Sequence, residues 1–292
     1  MDLFASRTGN GDAATFEAVR AAARAGDFDR YLAALLAPRD VRGDLVTLAA
    51  FLGETARIPS LVSEPMQGEI RLQWWRDVIA AGTGARSGSP IADALNEMIA
   101  RRALPRELFD RLLDARASDL YPDGFADEES LYAYLDDTEG AAFRLAARVL
   151  GGAGAQSAEG YEREAGGAFG LTRLLLSLPA SLARGRMPLP RSWLGAAPEI
   201  PPGDVDALAA APAVKAALQR ATAAARDRLS AAREVDPAVP RRMRTAFLPL
   251  ALVEPYLRAL ERSDHDPLRQ LADLPPLTRV WRLWRAHIAG SI

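Results

Sequence analysis

Apolar residues recur three and four positions apart along almost the whole chain, and Val, Ile and Thr never alternate with polar residues over the length of a strand. That period belongs to amphipathic helices, and the dominance of Ala, Leu, Arg and Glu supports them. A first helix is predicted from an Asp12 cap to about Ala25. A second starts at Asp27, with Phe28, Tyr31, Leu32, Leu35 and Leu36 on one side, and stops at Pro38. A third is predicted from about Arg39 to Ile58, ahead of Pro59. Ser63 is the predicted cap of a fourth, which carries Pro65 in its first turn. Its predicted buried stripe is Met66, Ile70, Trp74 and Val78, spaced by four. Gly, Ser and Pro between residues 82 and 90 mark a loop. Further helices are predicted at about 91–102, 106–120, 128–151, 157–183, 212–234, 239–263 and 277–289. The helix at 239–263 should bend near Pro249 and Pro255, and residues 196–203 read as a surface loop. With no internal repeat and no convincing boundary, the pattern predicts one all-α domain over residues 1–292, with residues 1–11 flexible.

Composition narrows the chemistry. The hydrophobic share, 49%, is enough for a large core, and the net charge of -2 gives no global attraction to nucleic acid. There is no cysteine, which excludes disulfides, thiolate metal sites and cysteine nucleophiles. Histidine occurs only at His265 and His287, and lysine only at Lys215. A His-centred triad, a zinc site and most lysine-based chemistry are therefore disfavoured. No apolar run is long enough to cross a membrane, and Met1-Asp2-Leu3-Phe4 lacks a signal-peptide pattern. The expected location is the cytoplasm, with peripheral contact to the inner membrane as a further expectation.

Four pieces of sequence carry a resemblance. They are the pair of helices from Tyr31 through Ala50-Phe51, the element Arg71-Leu72-Gln73-Trp74-Trp75-Arg76, the element Tyr134-Leu135-Asp136-Asp137-Thr138-Glu139-Gly140, and the Gly170-Leu171-Thr172…Gly185-Arg186…Leu189-Pro190 block. In this order and spacing the chain resembles the squalene/phytoene synthase family from about Tyr31 to Leu260. The resemblance implies an isoprenoid-synthase-like helical bundle around an apolar cavity. Known members join two prenyl diphosphates head to head, and they hold Mg²⁺ on an Asp-rich motif from each of two helices. Carboxylates four apart on a helix point the same way, so two such pairs can clamp a metal cluster.

Carried onto this chain, the first motif falls on Glu54 and Ile58 and the second on Ser177 and Ser181. One carboxylate of four remains. Arg173 occupies the asparagine-like position before the second motif, and its charge repels a metal. The resemblance thus implies no catalytic residues, no metal ligands and no cofactor; Mg²⁺ enters only if Glu54, Asp136 and Asp137 build an atypical site together. It also implies that Arg57, Arg71, Arg173 and Arg186 sit toward the diphosphate end. There they either grip an anion bidentately, or pair with acids such as Glu54 and Glu69 or reach solvent.

Asp119, Asp123 and Asp127 are spaced by four but interrupted by Pro122 and Gly124, so they are expected to be solvated or to close and cap helices. Trp74 and Trp75 diverge by about 100° on a helix; Trp74 is expected in the core. Thr138 and Gly140 are expected to serve close helix packing. Residues 277–289 form an amphipathic helix with Leu277, Trp281, Trp284 and Ile288 on one side, bordered by Arg279, Arg282 and Arg285. Such a helix lies on a membrane surface or packs back on the bundle.

The degenerate motifs resemble a branch that includes a mitochondrial assembly factor for respiratory complex I. The leading expectation is a non-catalytic member binding an isoprenoid, a lipid or a protein partner. The alternatives are a working head-to-head prenyltransferase with unusual ligands and an interaction scaffold with a filled cavity.

Overall fold

A computed structural model describes residues 10–84, 86–151, 159–195, 200–235 and 239–290. The expected flexible residues 1–9 and the loop residues 196–199 lie outside them. The described residues are helical, with no strand among them. The chain divides into two compact units, Met1–Arg106 and Glu107–Ile292.

The first unit comprises α1 (Asn10–Gly26), α2 (Phe28–Leu35), α3 (Arg39–Ala56), α4 (Pro65–Ala81) and α5 (Pro90–Arg102). α3 is buried on nearly every side, from Val41 through Leu52, as a helix at the centre of a core must be. α1 packs against it so closely that a Cβ on Gly53 would lie 2.6 Å from the Cα of Gly26. Two acids inside this unit are neutralised. Asp27 caps α2 and pairs with Arg30 at 2.9 Å. Asp44 receives Arg102 at 2.7 Å and also Arg101.

Several sequence expectations need correction here. α1 begins at Asn10, ahead of the predicted Asp12 cap. Leu35, expected on the apolar side of α2, is exposed. Glu64, and not Ser63, stands at the N-cap of α4. α4 turns a different face inward, since Gly68, Leu72, Trp75 and Ile79 are buried. Met66 and Ile70 are 71% and 64% exposed, and Trp74 is 39% exposed against 5% for Trp75. Trp75 meets Phe51 edge-on at 5.1 Å.

α5 ends with Ala103 at φ 49°, a left-handed conformation that favours glycine. The Leu104 N–H donates to the Ile99 carbonyl at 3.0 Å, which fixes this turn. Ala103→Gly is therefore expected to raise the unfolding free energy by about 1 kcal/mol. Thermal unfolding followed by circular dichroism checks this, and an unchanged or lower midpoint would contradict it.

α6 (Arg106–Ala117) leads into the second unit. There follow α7 (Glu128–Leu135), α8 (Ala141–Gly151), α9 (Glu159–Leu176), α10 (Leu178–Ala183), α11 (Arg191–Leu194), α12 (Val205–Ala210), α13 (Pro212–Val235), α14 (Val253–Leu260) and α15 (Pro276–Ala289). Asp127 caps α7 through a reciprocal box with Ser130, as expected. A π-helical turn, Asp136–Gly140, joins α7 to α8. α9 runs through the middle and packs on α13, α8 and this turn. A Cβ on Gly166 of α9 would come within 2.6 Å of Gly140 backbone atoms, so Gly140 does serve close packing. Phe143, Tyr161, Phe169 and Phe247 form the aromatic centre, with Tyr161 edge-on to Phe247 at 4.3 Å.

Two prolines shorten the helices read from sequence. The helix expected at 157–183 breaks at Ser177, two residues before Pro179. The stretch expected at 239–263 is a 3₁₀ helix over Met243–Leu252, where Pro249 has no N–H to give, followed by α14 with Pro255 in its first turn.

Candidate functional site

The first motif position lies at the end of α3. Glu54 is on its last full turn, and its carboxylate takes an ion pair from Arg57 at 2.7 Å. α3 stops at Ala56, not at Ile58, ahead of Pro59, which has no N–H with which to extend the α-helical ladder. Ile58 opens a 3₁₀ turn ahead of Pro59 and is 3% exposed. The side chain at the second ligand position is therefore apolar and part of the core. Arg71 on α4 is exposed, and no ion pair holds it among the described residues.

The second motif position belongs to the other unit. Ser177 sits between α9 and α10, exposed, with its hydroxyl donating to the Leu174 carbonyl at 3.0 Å. Ser181 is buried on α10, and its N–H donates to the Ser177 carbonyl at 3.0 Å. One helical turn still separates the two, but both carry neutral hydroxyls. Arg173 precedes them on α9, stacked over the Phe169 ring at 5.7 Å, with Glu139 4.0 Å away.

Beside this position lies a buried charge cluster. Arg186 places one Nη 2.7 Å from Asp119 Oδ1 and covers the Phe125 ring. The other oxygen of Asp119 accepts from the Tyr134 hydroxyl at 2.8 Å and from Arg116 at 3.3 Å. Arg116 also donates to Tyr134 at 2.7 Å and to Glu139 at 3.3 Å. Burial pushes the Tyr134 phenol above its ordinary pKa, so it stays a proton donor. Nε of Arg116, and Nε and one Nη of Arg186, have no hydrogen-bond partner among the described residues.

Asp119 is thus not solvated at a helix end, as its place in an interrupted run suggested. It is the shared acceptor of two arginines and a tyrosine. Of the four predicted anion-binding arginines, Arg173 and Arg186 meet in this network through Glu139, Arg116 and Asp119. Arg57 is tied to Glu54, and Arg71 faces solvent. The sequence reading passed over Arg116 and Glu139 as members of one cluster. No signal in the sequence marked the cluster, because Arg116 meets Glu139, and Asp119 meets Arg186, only through tertiary contacts.

Asp136 and Asp137, the other acids considered for a cation, are also engaged. Asp136 pairs with Arg144, and Asp137 lies 3.6 Å from Arg111. Burial raises the pKa of Asp137. No group of three His, Cys, Asp or Glu side chains able to hold a metal ion occurs among the described residues.

The family model described as squalene/phytoene synthase matches residues 23–285. The chain belongs to this family. The mouse protein named "NADH dehydrogenase (ubiquinone) complex I, assembly factor 6" is 26% identical over 267 residues, covering 89% of this chain and 79% of the relative. Among solved structures, squalene synthase HpnC from Alicyclobacillus acidocaldarius has a TM-score of 0.72 at 21% identity, over 87% of this chain and 96% of that one. YisP from Bacillus subtilis has a TM-score of 0.69 at 14% identity, over 96% and 100%. At these identities the two structures establish the isoprenoid-synthase fold and nothing finer.

Proposed function

We propose that this family member no longer performs head-to-head prenyl transfer and works as a binding protein, with a role in assembling a respiratory complex. The observation that carries this reading is the chemistry of the four motif positions. Mg²⁺ needs several oxygen ligands in near-octahedral geometry, with carboxylates to balance its charge. Here the only carboxylate, Glu54, is already satisfied by Arg57, and the other three positions are Ile58, Ser177 and Ser181. These residues do not fit the metal on which the family's reaction depends. Asp136 and Asp137, the substitutes an active enzyme would require, each face an arginine. The assembly role draws support from the mouse relative, a protein named as a complex I assembly factor and matched along most of both chains.

A second reading, retention of an isoprenoid or lipid ligand, rests on Arg186 beside the second motif, whose Nε and one Nη have no hydrogen-bond partner among the described residues. Arginine holds phosphate oxygens without a metal.

Incubation of the purified chain with farnesyl or geranylgeranyl diphosphate and Mg²⁺ is expected to release no diphosphate above a protein-free control. Steady turnover would overturn the non-catalytic reading. Native mass spectrometry of the purified protein then tests the ligand. A co-purified lipid mass supports retention, and a bare polypeptide mass counts against it.

A further inference from the structure

We propose that α15 seats the protein on an anionic phospholipid surface. This inference stands apart from the catalytic reading and rests on the outer side of one helix. α15 is fixed to its unit by its inner side. Leu283 is 1% exposed and Ala286 9%, and the helix packs on the 3₁₀ segment at Met243–Leu252. Arg279 folds inward, where it pairs with Asp273, donates to the Leu274 carbonyl and covers the Tyr256 ring. At the far end Arg244 donates to the Gly290 carbonyl. The helix is thus held at both ends and along one side.

The outer side is apolar and bare. Leu277 is 83% exposed, Trp281 57%, Trp284 43% and Ile288 60%. At about 100° per residue these four fall within roughly 60° of arc, nearly opposite Leu283 and Ala286. The two indoles stack on each other at 5.2 Å, and Val280 extends the strip on one flank. Scattered exposed apolar residues are ordinary, but a continuous strip of this kind marks a contact surface.

Charge selects the occupant. The helix contains no acid. Arg285 lies about 40° from Trp281 and Arg282 about 100° on the same flank. Neither makes an ion pair among the described residues. A second copy of the chain packed strip to strip would bring like charges together without compensation. An anionic headgroup layer instead offers phosphates to the arginines, an interfacial zone to the tryptophans and acyl chains to Leu277 and Ile288. With 14 residues α15 spans only about 21 Å, so it lies in the interface and does not cross it. No helix among the described residues is long and apolar enough to cross.

The test is co-sedimentation of the full chain with extruded vesicles, either pure phosphatidylcholine or an equimolar mixture with phosphatidylglycerol. The chain is expected to pellet with the anionic vesicles and to be largely released by about 0.5 M salt. Trp281→Ser with Trp284→Ser should lower the partition coefficient at least about tenfold. Arg282→Gln with Arg285→Gln should lower it about 30-fold on anionic vesicles, roughly fivefold per arginine, and leave phosphatidylcholine binding unchanged. The substituted side chains lie outside the core, so circular dichroism should report native folding for both variants. The proposal fails if the wild-type chain stays in the supernatant at low salt. It fails equally if the tryptophan variant pellets as well as wild type. A wild-type dimer that the tryptophan variant dissociates, with no vesicle binding, would assign the strip to self-association and overturn the proposal.

Discussion

Asp119→Ala is expected to lower the unfolding free energy by about 3–5 kcal/mol, the range found when one partner of a buried ion cluster is removed. Its carboxylate accepts from Arg186 at 2.7 Å, from Tyr134 at 2.8 Å and from Arg116 at 3.3 Å. Arg186 and Arg116 already have guanidinium N–H groups with no partner among the described residues. Without Asp119 both cations keep their burial; Arg186 loses its carboxylate, and Arg116 keeps Tyr134 and Glu139 as acceptors. Asp123 provides the control, since it is 83% exposed and, among the described residues, paired with an exposed Arg191 alone. Asp123→Ala should change stability by less than about 0.5 kcal/mol. Urea denaturation of the two variants at neutral pH measures the difference. A loss below about 1 kcal/mol for Asp119→Ala would mean that water reaches the cluster and replaces the carboxylate.

The second large effect concerns two adjacent tryptophans. Trp75→Ala is expected to cost about 3–5 kcal/mol, through lost burial and the cavity it leaves against Phe51. Trp74→Ala should cost less than about 1 kcal/mol, because the indole of Trp74 already meets solvent. Paired denaturation curves decide the matter. Equal losses would show that both rings are packed, and would reverse the face assigned to α4.

That face also shows where the sequence misleads. Met66, Ile70, Trp74 and Val78 are spaced strictly by four, and each such step turns the helix by about 40° beyond one full revolution. Over three steps the row winds about 120° around the axis. The buried set Gly68, Leu72, Trp75 and Ile79 mixes steps of three and four and so stays on one side. Both rows look amphipathic in one dimension, and only packing distinguishes them. The helices themselves were legible because their period is a local property, although of the predicted caps Asp27 and Asp127 held and Asp12 and Ser63 did not. The breaks after Ala56 and at Ser177 were also within reach, since Pro59 and Pro179 announce them. The charge cluster was not. Its members at 116, 119, 134, 139 and 186 are joined by tertiary contacts that no local spacing encodes, so Asp119 read as an ordinary loop aspartate. The side chains at 54, 58, 177 and 181 were legible as residue identities, since which group stands there does not depend on how the chain folds.

The π-helical turn at Asp136–Gly140 carries one residue more than an α-helical path would need. Deleting a single residue there would remove the bulge and let α7 run into α8 as continuous α-helix, with Phe143 still on the side that meets Phe247. What would be lost is the widened turn itself, where the backbone of Gly140 meets Gly166. The segment can therefore absorb a change of length that a regular α-helical turn cannot, since one residue lost from a regular turn swings everything after it by about 100°.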